Sequence, residues 1–135
     1  MTRIDLRMNH AKIKITSGSF IFEAELCKST TAEVIIENLP FKGKATLWGE
    51  EIYFSIPVFI EEENTSRVIL DPGEIGYWPA GQAFCIFFGP TPVSKGKESR
   101  AYSAVNVFGK ISGDLSNLKN IKAGSDITVT LIQKQ

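Results

Sequence analysis

The sequence lacks the features that mark nucleic-acid binding and membrane insertion. Its 135 residues carry 15 basic and 15 acidic side chains, so the formal net charge is zero. A balanced chain has no basic excess with which to attract phosphate groups or an anionic bilayer. Its apolar runs are also too short for a membrane helix, which requires about 20 consecutive residues. We therefore predict neither a nucleic-acid partner nor a membrane partner.

Residues that commonly bind metals or act in catalysis are scarce. Cys27 and Cys85 match neither the spacing of a metal site nor a disulfide framework. The one histidine, His10, lies in a polar segment, which is more typical of a surface histidine than of a proton shuttle. The acidic run at residues 61–63 points its carboxylates in different directions, so a solvated loop is favoured over a metal site. The sequence predicts no metal, no cofactor and no catalytic triad.

Two polar segments lack the features of a signal peptide and of a phosphate-binding loop. Residues 1–7 are charged and lack the continuous apolar core of a signal peptide, so a cytoplasmic location is expected. Residues 93–100 are rich in Lys, Ser and Gly, but Glu98 follows Lys97 where a phosphate loop needs Ser or Thr. This segment is predicted to be a mobile, exposed loop.

Short stretches of alternating polarity predict a mainly β structure. Apolar residues make up 43% of the chain, which is typical of a globular domain, and we expect one domain over residues 1–135. Alternation predicts hairpins at 13–26 and 44–58, and further strands at 67–70, 74–78, 83–88, 105–111 and 127–131. Many short strands at close spacing indicate an antiparallel barrel.

Two short helices interrupt this pattern. Thr30 and Glu33 match the capping box with which many helices begin, and Pro40 ends that helix. Asp114 is a candidate cap for a second short helix. Both helices are too short to support a sheet, so we expect the first to plug the end of the barrel.

The remaining strands are organised around residues 77–92, which combine a tight turn, an uncharged strand and a proline-bracketed loop. The strand at residues 83–88 is apolar on both faces, and such a strand needs cover on both faces. A loop or a second subunit is favoured as the outer cover over a bound ligand.

Three motifs resemble the cyclophilin superfamily. Ile-Pro-Val-Phe at 56–59 is similar to the family's Ile-Pro-Gly-Phe, and Gly-Gln-Ala-Phe-Cys-Ile at 81–86 is similar to Gly-Ser-Gln-Phe-Phe-Ile. Val-Phe-Gly-Lys at 107–110 resembles the strand before the last cyclophilin helix. With Tyr-Trp-Pro at 77–79, the chain resembles still more the minimal prokaryotic cyclophilin-like proteins, a domain family of unknown function. The resemblance implies a closed eight-stranded antiparallel barrel with one or two short helices.

The resemblance also implies that the catalytic groups of cyclophilins are absent. These proteins are prolyl isomerases, and their essential arginine corresponds to Phe54. The groove histidine corresponds to Val105, the groove glutamine and second phenylalanine to Ala83 and Cys85, and only Phe59 matches the family. Isomerisation depends on donors that stabilise the twisted amide in the transition state. Without them, an apolar groove is implied and no enzymatic activity is favoured.

We weigh three functions against these observations. The first is a non-catalytic barrel that binds a small apolar ligand or peptide segment in a groove lined by Phe54, Phe59, Cys85 and Val105, with Trp78 and Thr91 at its rim. The second is a prolyl isomerase with a rearranged site. The third is a structural or homodimeric interaction protein, which the doubly apolar strand would support.

Overall fold

Ten antiparallel strands and one α-helix make up the fold in a computed structural model that describes residues 11–134. His10 lies outside the described residues. The strands are β1 (Ala11–Ser17), β2 (Phe20–Leu26), β3 (Phe41–Lys44), β4 (Thr46–Leu47), β5 (Glu51–Ser55), β6 (Arg67–Leu70), β7 (Glu74–Trp78), β8 (Ala83–Phe87), β9 (Ser99–Ser112) and β10 (Asp126–Lys134). The helix is α1 (Thr30–Asn38), and two 3₁₀ turns span Pro79–Gly81 and Ser116–Asn120.

The strands form one antiparallel sheet that does not close. Their order is β3-β10-β1-β2-β9-β7-β8-β5-β4, and β6 pairs with β9 outside this path. The predicted barrel of eight strands, closed by hydrogen bonding, is therefore wrong in strand number and in closure, although the mainly β antiparallel class is confirmed. Over residues 11–134, no ladder joins β3 to β4 or β5.

Two contacts are found at the open seam between β3 and β5. At Ala45, between β3 and β4, the chain still bonds to the β10 side, since its N–H donates to the carbonyl of Ser125 over 2.8 Å. The ring of Phe54 on β5 then lies directly against Gly43 on β3. A Cβ added at Gly43 would lie 2.8 Å from Cδ2 of Phe54. The Phe54 ring, which belongs to the main core, therefore packs over Gly43 on the inner face of the sheet.

Local sequence patterns account for the first hairpin. The β1–β2 register runs from Ala11 opposite Leu26 to Ser17 opposite Phe20, and Gly18 turns the chain with φ 60°. A positive φ of this size is readily adopted by glycine, which has no Cβ. The predicted hairpin is therefore confirmed, and its apolar positions lie in the core.

Helix α1 begins one residue earlier than its capping motif predicts. Ser29, and not Thr30, is the N-cap, because the Ser29 Oγ accepts a 3.0 Å hydrogen bond from the Ala32 N–H. The helix packs Ala32 and Ile35 into the core and ends before Pro40. No helix of the described part of the chain is long and apolar enough to cross a membrane.

A buried polar network ties α1 to the sheet. The Asn106 side chain, 1% exposed on β9, donates to the Thr31 hydroxyl at 3.2 Å and to the carbonyl of Glu61 at 2.9 Å. The Glu63 carboxylate accepts hydrogen bonds from the Thr31 N–H, at 3.0 Å, and from its hydroxyl. The acidic run at 61–63 is thus not merely solvated, because Glu63 satisfies a free N–H at the helix start.

Two apolar layers meet at β8, whose five residues are all buried. Phe84 and Ile86 point into the main core, on the inner face of the sheet. Ala83, Cys85 and Phe87 point to the outer face and join a second cluster. That second cluster is covered by β6 and the first half of β9 through Leu70, Ala101 and Val105. The expected double burial is confirmed, and the chain itself supplies the outer cover.

The capping assignment can be tested by two neighbouring hydroxyl deletions. Ser29→Ala removes the acceptor for the Ala32 N–H and should lower the free energy of unfolding by about 1 kcal/mol, measured by urea denaturation. Thr30→Ala is the matched control, because Thr30 is exposed and its hydroxyl caps no N–H among the described residues. A larger loss for Thr30→Ala would contradict the assignment.

Candidate functional site

Four aromatic rings form a connected group on the outer face of the sheet, which we call the aromatic cluster: Trp48, Tyr53, Trp78 and Tyr102. The ring centroids of Trp48 and Tyr102, and of Trp78 and Tyr102, are 6.1 Å apart, and those of Tyr53 and Trp78 are 6.4 Å apart. Their planes meet at 74°, 78° and 75° respectively. Tyr102 is 70% exposed, so the cluster reaches solvent.

The β4–β5 hairpin places two of these rings and an acid on the same face. Trp48 and Glu51 exchange backbone hydrogen bonds of 2.9 and 3.2 Å, and Thr46 lies opposite Tyr53. Directly opposed residues of an antiparallel pair point to the same face, as do residues two apart on one strand. Trp48, Glu51 and Tyr53 therefore all point outward.

Trp78 is held in place from two sides. Its indole N–H donates to the Ser103 hydroxyl on β9 over 2.6 Å. Its ring lies flat against Gly81, where an added Cβ would come within 2.3 Å of the ring atom Cε3. A side chain at position 81 would displace the indole, so this glycine is required by the close approach of the ring.

The floor beneath the cluster is filled. Cys85, Phe87 and Val105 are fully buried in the outer apolar layer. Gly76 on β7 allows this packing, because a Cβ there would lie 2.9 Å from Cγ2 of Val105. Cys85 and Val105 therefore pack against other side chains of this layer and not against solvent.

Glu51 is the one buried acid of this region. It is 5% exposed, and the loss of hydration raises the pKa of its carboxyl to about 7, an effect that the neighbouring Cys85 thiol only partly opposes. Burial and the nearby Glu51 charge likewise raise the pKa of Cys85, which keeps it a neutral thiol. Within residues 11–134, the Glu51 carboxyl has no ion pair and no N–H donor.

The loop beside the cluster is ordered by hydrogen bonds. The Thr91 hydroxyl donates to the carbonyl of Arg100, and the Ser94 hydroxyl donates to the carbonyl of Glu98 at 2.6 Å. The Glu98 carboxylate accepts from the Lys95 N–H at 2.7 Å and from Arg100 Nε at 3.0 Å. These donors lower the pKa of Glu98 to about 2.

The six residues expected to line one groove do not surround a common pocket. Phe54 is 2% exposed and points inward, where its ring stacks on Phe84 at 5.0 Å. Cys85 and Val105 lie in the outer layer instead. Trp78 belongs to the aromatic cluster, and Thr91 is buried in the adjacent loop.

Phe59 lies apart from the other five, on an extended segment that directs its side chain to solvent. Residues 56–60 alternate buried and exposed positions, and Phe59 is 70% exposed. The Tyr77 hydroxyl fixes the flanking positions by donating to the carbonyl of Val58 at 2.8 Å and accepting from the Ile60 N–H at 3.3 Å. The side chain between them is therefore directed away from the core.

Sequence reasoning did not find Glu51, Tyr102 or Ser103. Glu51 sits in an alternating strand where an acid is expected to face solvent, and Tyr102 lies where no motif fixes an alignment. One signal was present: Trp48, Tyr53 and Trp78 occupy outward positions of strands whose inward positions are apolar. This alternation of inward apolar and outward aromatic side chains favours an exposed aromatic surface.

A groove lies apart from the aromatic cluster, between β2, β6 and β9. It has a volume of about 460 Å³, and Cys27, Arg67, Glu74 and Lys110 are among its lining residues. Arg67 and Glu74 neutralise each other in a 2.7 Å ion pair, and burial raises the pKa of the Cys27 thiol, so it is not an activated nucleophile. The described residues contain no group of three or more metal-binding side chains.

Comparisons with known proteins agree with this fold. Residues 11–130 match a family model described as Cyclophilin-like. The chain is similar to a hypothetical protein from Archaeoglobus fulgidus whose solution structure is known, with 36% identity and a TM-score of 0.79 over 96% of this chain and 100% of the other. No curated protein matches the chain.

The burial of Glu51 predicts that replacing it stabilises the protein at alkaline pH. Its carboxyl ionises near 4.5 in the unfolded chain and near 7 in the folded one, so stability falls as the pH rises between these values. Glu51→Gln removes this fall and should raise the free energy of unfolding by up to about 3 kcal/mol near pH 8, with little change near pH 4.

Denaturation at both pH values measures the effect. Glu50→Gln, at the exposed neighbouring position, is the control and should leave the pH profile unchanged. If the free energy of unfolding depends on pH in the same way for the wild type and for Glu51→Gln, the raised pKa of Glu51 is contradicted.

Proposed function

The chain belongs to the cyclophilin-like family, and we propose that it is a non-catalytic binding domain whose ligand, a small apolar molecule or a peptide segment, docks on the aromatic cluster. The observation that carries the proposal is the position of four connected rings above a filled apolar floor, with Tyr102 70% exposed. Rigid Trp and Tyr side chains offer large contact areas at low cost in conformational entropy, which is why they dominate binding hot spots.

The supports around Trp78 favour binding because they fix the surface before a ligand arrives. The Ser103 hydroxyl and Gly81 hold the indole, and the hydrogen-bonded loop at 91–100 orders the rim through Thr91. A surface fixed in advance loses less entropy on association than a mobile one. In this proposal Trp78 contacts the ligand directly, while Cys85 and Val105 support the rings from beneath.

The position of Phe54 favours a non-catalytic role over a rearranged isomerase. The residue stands where cyclophilins carry their arginine, but it is 2% exposed and stacks on Phe84 inside the core. Ala83, which replaces the groove glutamine, is also buried. Neither position presents a donor to a substrate amide, and the transition state for isomerisation requires one.

Binding can be tested on an array of proline-containing and aromatic peptides, with the tryptophan fluorescence of the protein as the readout. Tyr102→Ala should weaken binding by about 10- to 100-fold, since truncation of a hot-spot ring costs roughly 1–3 kcal/mol. Because Tyr102 is 70% exposed, the variant should fold normally, which circular dichroism checks.

Phe59→Ala is the comparison variant, because Phe59 is equally exposed but lies outside the cluster. Loss of binding in Phe59→Ala alone would move the site to the family's groove position, and an array without any binder would overturn the proposal.

Light scattering tests whether a second copy of the chain occupies the aromatic cluster. If the protein is a dimer and Tyr102→Ala dissociates it, the second copy takes the place of the ligand on this surface.

Enzymatic activity gives a separate test. A protease-coupled assay on Ala-Pro peptides at high protein concentration should give the uncatalysed rate, because no donor replaces the missing arginine. A rate above background that Tyr102→Ala reduces would show a rearranged isomerase site and would contradict the non-catalytic assignment.

A further inference from the structure

We infer that the aromatic cluster binds a cationic group, an alkylated ammonium, with the Glu51 carboxylate as its counter-charge. This inference rests on the proposed function, because it names the chemical class of the group that docks on the same surface.

The four rings follow one another as a chain of neighbouring, nearly perpendicular rings on the outer face of the sheet. Their order is Trp48, Tyr102, Trp78 and Tyr53, with neighbouring centroids 6.1, 6.1 and 6.4 Å apart. Neighbouring planes meet at 74–78°, so the rings meet edge to face instead of stacking flat. A cation is attracted to the face of an aromatic ring within about 6 Å of its centroid, and groups of aromatic rings suit quaternary ammonium ligands.

On the β4–β5 hairpin, Glu51 lies between Trp48 and Tyr53, the first and the last of these rings. It is paired with Trp48 across the hairpin turn and stands two residues before Tyr53 on the same face of β5. On the neighbouring strand β8, Phe87 lies directly opposite it. The Glu51 side chain therefore shares a face of the sheet with Trp48 and Tyr53, and its carboxyl is buried on that face.

The acid has no cation of its own in the part of the chain that the structure describes. The three described ion pairs join other residues, including Arg100 with Glu98 beside the cluster. The titratable group that faces Glu51 from β8 is Cys85. The titratable groups of the aromatic cluster are Tyr53 and Tyr102. A buried carboxylate without a partner is costly, and a bound ammonium would remove that cost.

Other ligand classes fit this surface less well. An anion would be repelled by Glu51 and would meet the negative faces of the rings. A purely apolar group would bury the rings but would leave the carboxyl unpaired. An alkylated ammonium satisfies both, because its methyl groups pack on the rings while its charge pairs with the acid.

The experiment compares two probes of the same shape. Choline carries the charge, and 3,3-dimethyl-1-butanol is its neutral carbon isostere; calorimetry and tryptophan fluorescence report binding of each. We expect choline to bind at least about 10-fold more tightly, and Glu51→Gln to remove that preference without changing the affinity for the alcohol. Glu50→Gln should behave as wild type, and Tyr102→Ala should weaken both probes.

The pH dependence provides a readout that a merely structural acid would not produce. Choline affinity should rise between about pH 6 and 8 in the wild type, as Glu51 ionises, and should stay level in Glu51→Gln. Equal binding of the two probes, or a preference that survives Glu51→Gln, would overturn the cation assignment and leave the proposed binding surface in place. Binding of neither probe would also overturn it, while the peptide array decides the proposed function separately.

Discussion

The burial of β8 on both faces is the constraint on which the other elements depend. A strand of Ala, Phe, Cys, Ile and Phe exposes no polar face, so each side of the sheet at this point must be covered. The inner side is covered by the main core and α1, and the outer side by β6 and the first half of β9. This second cover explains why β9 is the longest strand, with 14 residues, since it serves both layers in turn.

Much of the fold could be predicted because the deciding interactions are local. The β1–β2 hairpin follows from alternation and Gly18, and α1 from a hydroxyl followed by an apolar face. The open edge of the sheet could not be predicted, because it depends on backbone contacts across the seam such as the pairing of Ala45 with Ser125. These contacts join distant parts of the chain, and alternation within one segment carries no information about them.

The candidate site was harder to predict because register decides it. Phe54 and Cys85 lie on adjacent strands, but Phe54 is opposite Phe84 whereas Cys85 is opposite Tyr53. One residue of register therefore places them on opposite faces, and motif positions taken from a family cannot show this when the residues themselves have changed. The burial of Glu51 was equally hidden, since its neighbours Phe87 and Cys85 come from another strand.

The position of Glu51 links the stability of the fold to the proposed binding surface. An acid that is 5% exposed and has a pKa of about 7 costs folding free energy at neutral pH, and an amide of the same shape would avoid that cost. Structural acids elsewhere in the chain do not show this conflict, since Glu63 binds the start of α1 and Glu98 binds its own loop. Strongly shifted groups that lack a structural partner concentrate at functional sites, where local stability is given up for interaction with a ligand. Of the buried groups on the outer face, Glu51 is the one that a partner of opposite charge would stabilise, and it shares that face with the rings of Trp48 and Tyr53.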